Sequence, residues 1–160
     1  MNKRRISPIK YDRTLGVAAM ESRGFYYPVD IALARDGRIY GLSRSHEGDA
    51  RGVRVCVLDL ESEFYGVFGS IGDGDGQFVW ATSIAIDSEG MVYVSDEFLQ
   101  RISIFDASGN FLRKWGTCGS KKGELDGPSG LAFDKEDNLY VVDHRNNRVQ
   151  KFTKDGQFLS

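Results

Sequence analysis

Cysteine, histidine and proline are all scarce in this chain of 160 residues, at two, two and three copies. Cys56 and Cys118 lie far apart, with neither the paired spacing of a zinc site nor the density of a disulfide scaffold, so both read as structural thiols. His46 and His144 alone fall short of the about three or four converging ligands of a stable metal site. No metal or cofactor is expected. Long apolar runs are missing too. Nothing approaches the ~18 residues of a membrane span, and Ile6-Ser7-Pro8-Ile9-Lys10-Tyr11-Asp12, after Lys3-Arg4-Arg5, is too polar for a secretion signal. A cytoplasmic protein without membrane attachment is expected. Charge of one sign is also lacking: 21 basic residues face 23 acidic ones for a net charge of -2, a balance that calls for no polyelectrolyte partner.

Glycine and aromatics are abundant instead, with 19 Gly, ten Phe, seven Tyr and two Trp. Glycine in the near absence of proline suits tight turns, and aromatic side chains suit a pleated, half-buried surface. The pattern recurs. Laying Phe111-Leu-Arg-Lys-Trp115-Gly116 over Phe64-Tyr-Gly-Val-Phe68-Gly69 takes a shift of 47 residues. The same shift carries Arg54 through Arg101 to Arg148, Leu58 through Phe105 to Phe152, and Asp87, Tyr93 and Asp96 to Asp134, Tyr140 and Asp143. Upstream of Arg54 the shift becomes 53 and matches Pro28, Ile31, Ala32 and Tyr40 with Ala81, Ile84, Ala85 and Tyr93. The six extra residues fall between Ser43 and Arg54, in a polar loop.

Each unit holds four strand signals, a to d, separated by turn residues. In the last unit, residues 130–134, 138–143 and 148–152 read as a, b and c, and 158–160 open d. Asp87-Ser-Glu-Gly90 and Asp106-Ala-Ser-Gly109 carry hairpin-turn chemistry, and helices have almost no room. Four antiparallel strands repeated at a period in the forties predict an all-β fold of β-propeller blades. Residues 1–10 read as a tail, 11–16 as a lone strand d, and 23–69, 76–116 and 123–160 as three units, the last incomplete. Rings start at about four blades, so an open arc is expected, either half of a longer propeller or a protomer whose partners complete the ring. Its end faces would be apolar and prone to self-association.

These residues resemble the NHL repeat, whose pattern joins G-x-F-x-x-P-x-G-I-A-V-D to G-x-I-Y-V-A-D, N-x-R-I-Q-x-F and G-x-F-L-x-x-F-G. The last unit fits best, through Gly123, Pro128, Gly130, Asp134, Tyr140, Asp143, Asn146, Arg148, Phe152, Gly156 and Phe158. The middle unit departs at Ala81 and Ser83, and the first has Ala34 and Ser43 where acids are usual. The resemblance implies a propeller of six blades in which an N-terminal strand supplies the missing d of the last one. It also implies functions of two kinds: substrate recruitment for ubiquitin ligases or RNA binding, and lyase or lactonase chemistry in a channel. The chain has no RING-type cysteine cluster, and the inner strands Asp30-Ile-Ala-Leu-Ala34, Ser83-Ile-Ala-Ile-Asp87 and Gly130-Leu-Ala-Phe-Asp134 carry none of the histidines with which such lyases hold zinc.

Candidate chemistry is correspondingly thin. Asp87 and Asp134 recur at one repeat position and read as turn caps rather than an acid–base pair, because chemistry needs a single convergent site. Asp96 with Arg101, and Asp143 with Arg148, read as ion pairs that pin blade corners. Gly72-Asp-Gly-Asp-Gly76 lacks both the acidic ladder of a calcium loop and the lysine of a phosphate loop. What remains is a rim of b–c and d–a loops exposing Arg44, His46, Arg51, Phe98, Gln100, Lys121, Lys122, His144, Arg145 and Asn147. The expected function is a non-enzymatic interaction module that takes a protein or peptide on this rim. An RNA ligand and a propeller enzyme whose channel needs further blades are the alternatives.

Overall fold

The computed structural model describes residues 10–16, 23–44 and 50–160. β1 (Pro28–Leu33), β2 (Ile39–Ser43), β3 (Arg54–Leu58) and β4 (Phe64–Phe68) form the first sheet, and β5 (Ser70–Ile71) and β6 (Gln77–Phe78) form a short parallel pair. The second sheet comprises β7 (Ala81–Ile86), β8 (Val92–Asp96), β9 (Arg101–Phe105) and β10 (Phe111–Trp115). β11 (Pro128–Phe133), β12 (Leu139–Asp143) and β13 (Arg148–Phe152) form the third, which Phe158 extends by a bridge to Phe152. Within each of these three larger sheets, consecutive strands pair antiparallel. Helix among the described residues is limited to the 3-10 turns Ala50–Gly52 and His144–Asn146. The fold is all-β and blade-like, as the repeat implies.

Residues 11–16 differ from expectation, for they form no strand. A strand requires a neighbouring edge to take its hydrogen bonds, and this segment pairs with none of the strands among the described residues. It lies instead against the first sheet, where Leu15 packs on Ile39, Cys56 and Leu58 with Phe25 and Phe64.

An aspartate closes four of the a–b and c–d hairpins, at Asp59, Asp87, Asp106 and Asp134, while Ala34 and Thr153 stand at that place in the other two. Asp87 Oδ1 accepts the N–H groups of Glu89 and Met91, both at 2.9 Å, and Asp106 does the same for Ser108 and Asn110. The next turn position needs a left-handed backbone, met by Gly90 at φ +85° and, in the third blade, by Asp137 at +58°. Asp is one of the few side-chain-bearing residues that tolerate it.

The sheets stack face to face with β7 packed between β1 and β11. One seam joins Tyr40, Leu42, Val55 and Val57 to Phe78, Ile84, Val92, Val94 and Phe105; the other joins Tyr93, Ile102 and Ile104 to Leu125, Leu139, Val141 and Phe152. The last residue of strand d reaches across each seam, Phe68 to Phe105 at 4.9 Å between ring centroids and Trp115 to Phe152 at 5.0 Å. Burial of one such ring contributes about 1.5–3 kcal/mol. β8 and β9 are consequently buried on both faces, whereas β12 alternates buried and exposed.

Candidate functional site

The rim is built on the blade corners, where strand b turns into strand c. Asp96 is fully buried and accepts the N–H groups of Val79 at 2.7 Å, Trp80 at 3.1 Å, Phe98 at 3.0 Å and Leu99 at 2.9 Å. Asp143, equally buried, accepts from Asp126 N at 2.6 Å, Arg148 Nε at 2.7 Å, Asn146 Nδ2 at 2.9 Å and Gln150 Nε2 at 3.1 Å. The expected ion pair therefore exists at 143/148 but not at 96/101. With the Asp96 carboxylate saturated by backbone donors, Arg101 sends its guanidinium to the carbonyls of Asp73, Gly74 and Gln77. Arg148 makes the equivalent contacts with Ser120, Lys121 and Glu124, and Arg54 reaches Gly24. The repeated arginine is a clamp on the preceding d–a loop.

On this frame the sequence-derived rim residues separate into several groups. Gln100, His144 and Arg145 come together across the second seam. Arg145 meets Glu97 at 3.0 Å and Asp126 at 3.5 Å, His144 Nε2 lies 3.6 Å from Glu97, and Gln100 Oε1 accepts the Gly127 N–H at 2.7 Å. These groups serve as ties between blades. Glu97 and Asp126, their partners, went unnoticed in the sequence, although Glu97 occupies the repeat position of Arg44 and His144. The Arg44 guanidinium lies over the ring of Trp80, 4.2 Å from its centroid, another partner that spacing did not reveal. Asn147 is the left-handed cap of the His144–Asn146 turn. Arg51, Lys121 and Lys122 are exposed, and Phe98 is 68% exposed. His46 lies outside the described residues.

The opposite rim, formed by a–b turns, holds a cavity of about 440 Å³ lined by Asp36, Tyr40, Asp87, Ser88, Phe133 and Asp134 among others. Burial opposes charge on Asp134, but the Asn138 backbone N–H, the Lys151 ammonium and the Asn138 amide outweigh it and hold its carboxyl at about 2. Asp137 is held low by the Ser88 hydroxyl. Burial and the Asp87 carboxylate push the Tyr93 hydroxyl well above its ordinary range. The carboxylates Asp87 and Asp134 are occupied as turn caps. Among the described residues no three or more His, Cys, Asp or Glu side chains are grouped to hold a metal ion. No helix of the described residues is long and apolar enough to cross a membrane.

Comparison with known proteins agrees with this architecture. Residues 125–152 match the NHL repeat family model. No curated protein matches the chain in sequence. Among solved structures, a catalytically inactive virginiamycin B lyase from Staphylococcus aureus with quinupristin superposes with a TM-score of 0.60 at 13% identity, covering 90% of this chain and 42% of the lyase. Hydrazine synthase from Kuenenia stuttgartiensis gives 0.61 at 16% identity, covering 84% and 35%. A gluconolactonase from Xanthomonas campestris gives 0.52 at 17% identity, covering 75% and 36%. Identities this low show a shared fold alone, and the chain spans about two-fifths of the length of the first of these structures. Residues 125–152 thus carry an NHL repeat, and the sheets of the chain stack as the blades of a β-propeller.

Proposed function

We propose that the chain is a non-enzymatic interaction module that holds a protein or peptide on the rim of b–c and d–a loops. The observation that carries this reading is Phe98, which stands 68% exposed on a loop whose Phe98 and Leu99 N–H groups are pinned by the buried Asp96 carboxylate. An aromatic side chain presented on a rigid loop is an anchor whose ordering cost is met before the ligand arrives. The Glu97 N–H donates to the Trp80 carbonyl, so the Arg44–Trp80 stack borders the same corner. Lys121 and Lys122 add exposed ammonium groups on the rim.

RNA is less favoured, because Arg145 is engaged with Glu97 and Asp126 and offers little net positive charge to a phosphate backbone. A lyase or lactonase reading rests on fold likeness and would draw its reacting groups from further blades.

The test is selection of peptide ligands from a random display library against the whole chain, followed by titration with Phe98→Ala. Selected peptides should lose at least tenfold in affinity while the thermal midpoint of the variant stays unchanged, since surface truncations shift stability by only about 0.5 kcal/mol. Failure to select any ligand tighter than 100 µM, or identical binding by the variant, refutes the reading. Metal-dependent turnover of a lactone or cyclic depsipeptide by the chain would do so as well.

A further inference from the structure

Gln100 is held in an unfavourable backbone conformation. Its φ is +56°, in the left-handed region that glycine, asparagine and aspartate tolerate and that other side chains enter only at a steric cost. At the equivalent place of the third unit stands Asn147, with φ +53°. There the turn closes through the backbone, the Asn147 N–H donating to the His144 carbonyl at 3.1 Å. In the second unit the corresponding carbonyl, that of Glu97, accepts from the Gln100 side chain instead, 3.0 Å from Nε2. Strain of this kind persists only where the surrounding structure holds the residue in place. Here the holding contact comes from the next blade, for Gln100 Oε1 accepts the Gly127 N–H at 2.7 Å. A carbonyl on one side and an N–H on the other fix which way the amide faces.

The contact across the seam departs from the repeat. Gly127 corresponds to Trp80, whose N–H donates to Asp96 of its own blade at 3.1 Å. By that pattern the Gly127 N–H would go to Asp143. Gln100 accepts it instead, and the Asp143 carboxylate has room for Arg148 Nε at 2.7 Å. The second corner, whose carboxylate keeps the donor, makes no such ion pair with Arg101. Gly127 is also the only kind of residue that fits, because its φ is +71° and a Cβ would stand 2.5 Å from His144 Nδ1. A second tie crosses the same seam, from the Arg145 guanidinium to Glu97 Oε1 at 3.0 Å. Glu97 and Gln100 are thus fastened to the third blade on either side of Phe98, whereas Asp96 of its own blade holds the Phe98 and Leu99 N–H groups.

We infer that Gln100 is a positioning residue for the rim anchor: its amide locks the 97–100 loop onto the third blade, so that the direction in which Phe98 points is set by the seam between two blades. The inference rests on the reading of Phe98 as the group that holds the ligand. It accounts for glutamine at a left-handed position. Glycine would adopt that backbone without strain but has no amide, and asparagine would carry its amide one methylene short of Gly127. The rim therefore divides its work, with Phe98 touching the ligand and Gln100 touching only the loop that presents it. Coupling runs both ways: a ligand that binds the locked loop tightens the contact at Gly127 in return.

Amide exchange of the whole chain, followed residue by residue by NMR, tests this in Gln100→Met, which keeps the reach of the side chain and loses its donor and acceptor. Exchange at Phe98, Leu99 and Gly127 should quicken about tenfold, and by more than at Val94 and Ile104 in the buried strands. No change at the three loop amides, or an equal change throughout, overturns the inference. The second readout is the affinity of the peptides selected on the rim. Gln100→Met should weaken them about fivefold in the wild-type background and not at all in the Phe98→Ala background. Equal losses in both backgrounds would mean that Gln100 touches the ligand itself, and would overturn the inference too. A selection that returns no peptide removes the anchor reading alone, since the exchange measurement needs no ligand and still decides whether Gln100 locks the loop.

Discussion

Replacement of Asp143 by alanine probes the corner on which the third blade and its part of the rim depend. The carboxylate is wholly inaccessible and has four donors: Asp126 N, Asn146 Nδ2, Arg148 Nε and Gln150 Nε2. Removing one partner of a buried ion pair costs about 3–5 kcal/mol, because the other partner is left uncompensated. Arg148 retains its bonds to the carbonyls of Ser120, Lys121 and Glu124, so its guanidinium is not abandoned. The expected loss is therefore at the low end, about 3 kcal/mol. At about 2–4 °C per kcal/mol for a chain of this size, the melting midpoint falls by about 6–12 °C. Urea unfolding and differential scanning calorimetry measure both quantities. Asp155→Ala is the control: its bond to Arg113 is just as short, at 2.7 Å, but both side chains are largely exposed, so the loss stays within about 1 kcal/mol. A cycle with Arg148→Met should show a coupling of about 1–3 kcal/mol. Equal losses for Asp143→Ala and Asp155→Ala, or a cycle without coupling, would refute the claim that buried corners hold the blades.

Two further consequences concern turns and close approaches. Asp134 titrates near 2 when folded, against an ordinary value of 3.8, so the unfolded chain takes up its proton first as pH falls. Its stabilising contribution is complete above about pH 4 and is lost toward pH 2, and Asp134→Asn should flatten the acid limb of the stability curve in that window. An unchanged limb contradicts the turn-cap assignment. Gly116→Ala should cost more than Gly90→Ala, although both glycines have positive φ. At Gly90 a Cβ meets open space and only the left-handed strain of about 1–2 kcal/mol applies, whereas at Gly116 it comes within 2.4 Å of the Gln100 carbonyl oxygen. Chemical denaturation of the pair decides the order, and equal losses would refute the close approach at Gly116.

Much of the fold was legible in the sequence because propeller blades repeat both strand pattern and turn chemistry. The 47-residue shift located equivalent residues without any coordinates, and Asp87 and Asp134 could be read as caps because they recur where a turn must close. The rim was legible as a set of loops but not as a set of contacts. Arg145 and His144 read as exposed rim residues in the sequence, whereas the fold brings Glu97 and Asp126 of neighbouring loops to them. Arg101, aligned with Arg148, looked like the partner of Asp96, yet that carboxylate is filled by backbone donors.

Sequence alone determined the all-β class, the blade period, the turn caps and the apolar residues of the seams, because these follow from alternation and backbone preference over a few neighbouring positions. Only the tertiary structure decided which charges are spent on holding blades together, which side chain stands free at the rim, and that residues 11–16 lie along a flank without a ladder. Those outcomes depend on distances between residues some 17 to 54 positions apart, fixed by the stacking of one blade against the next.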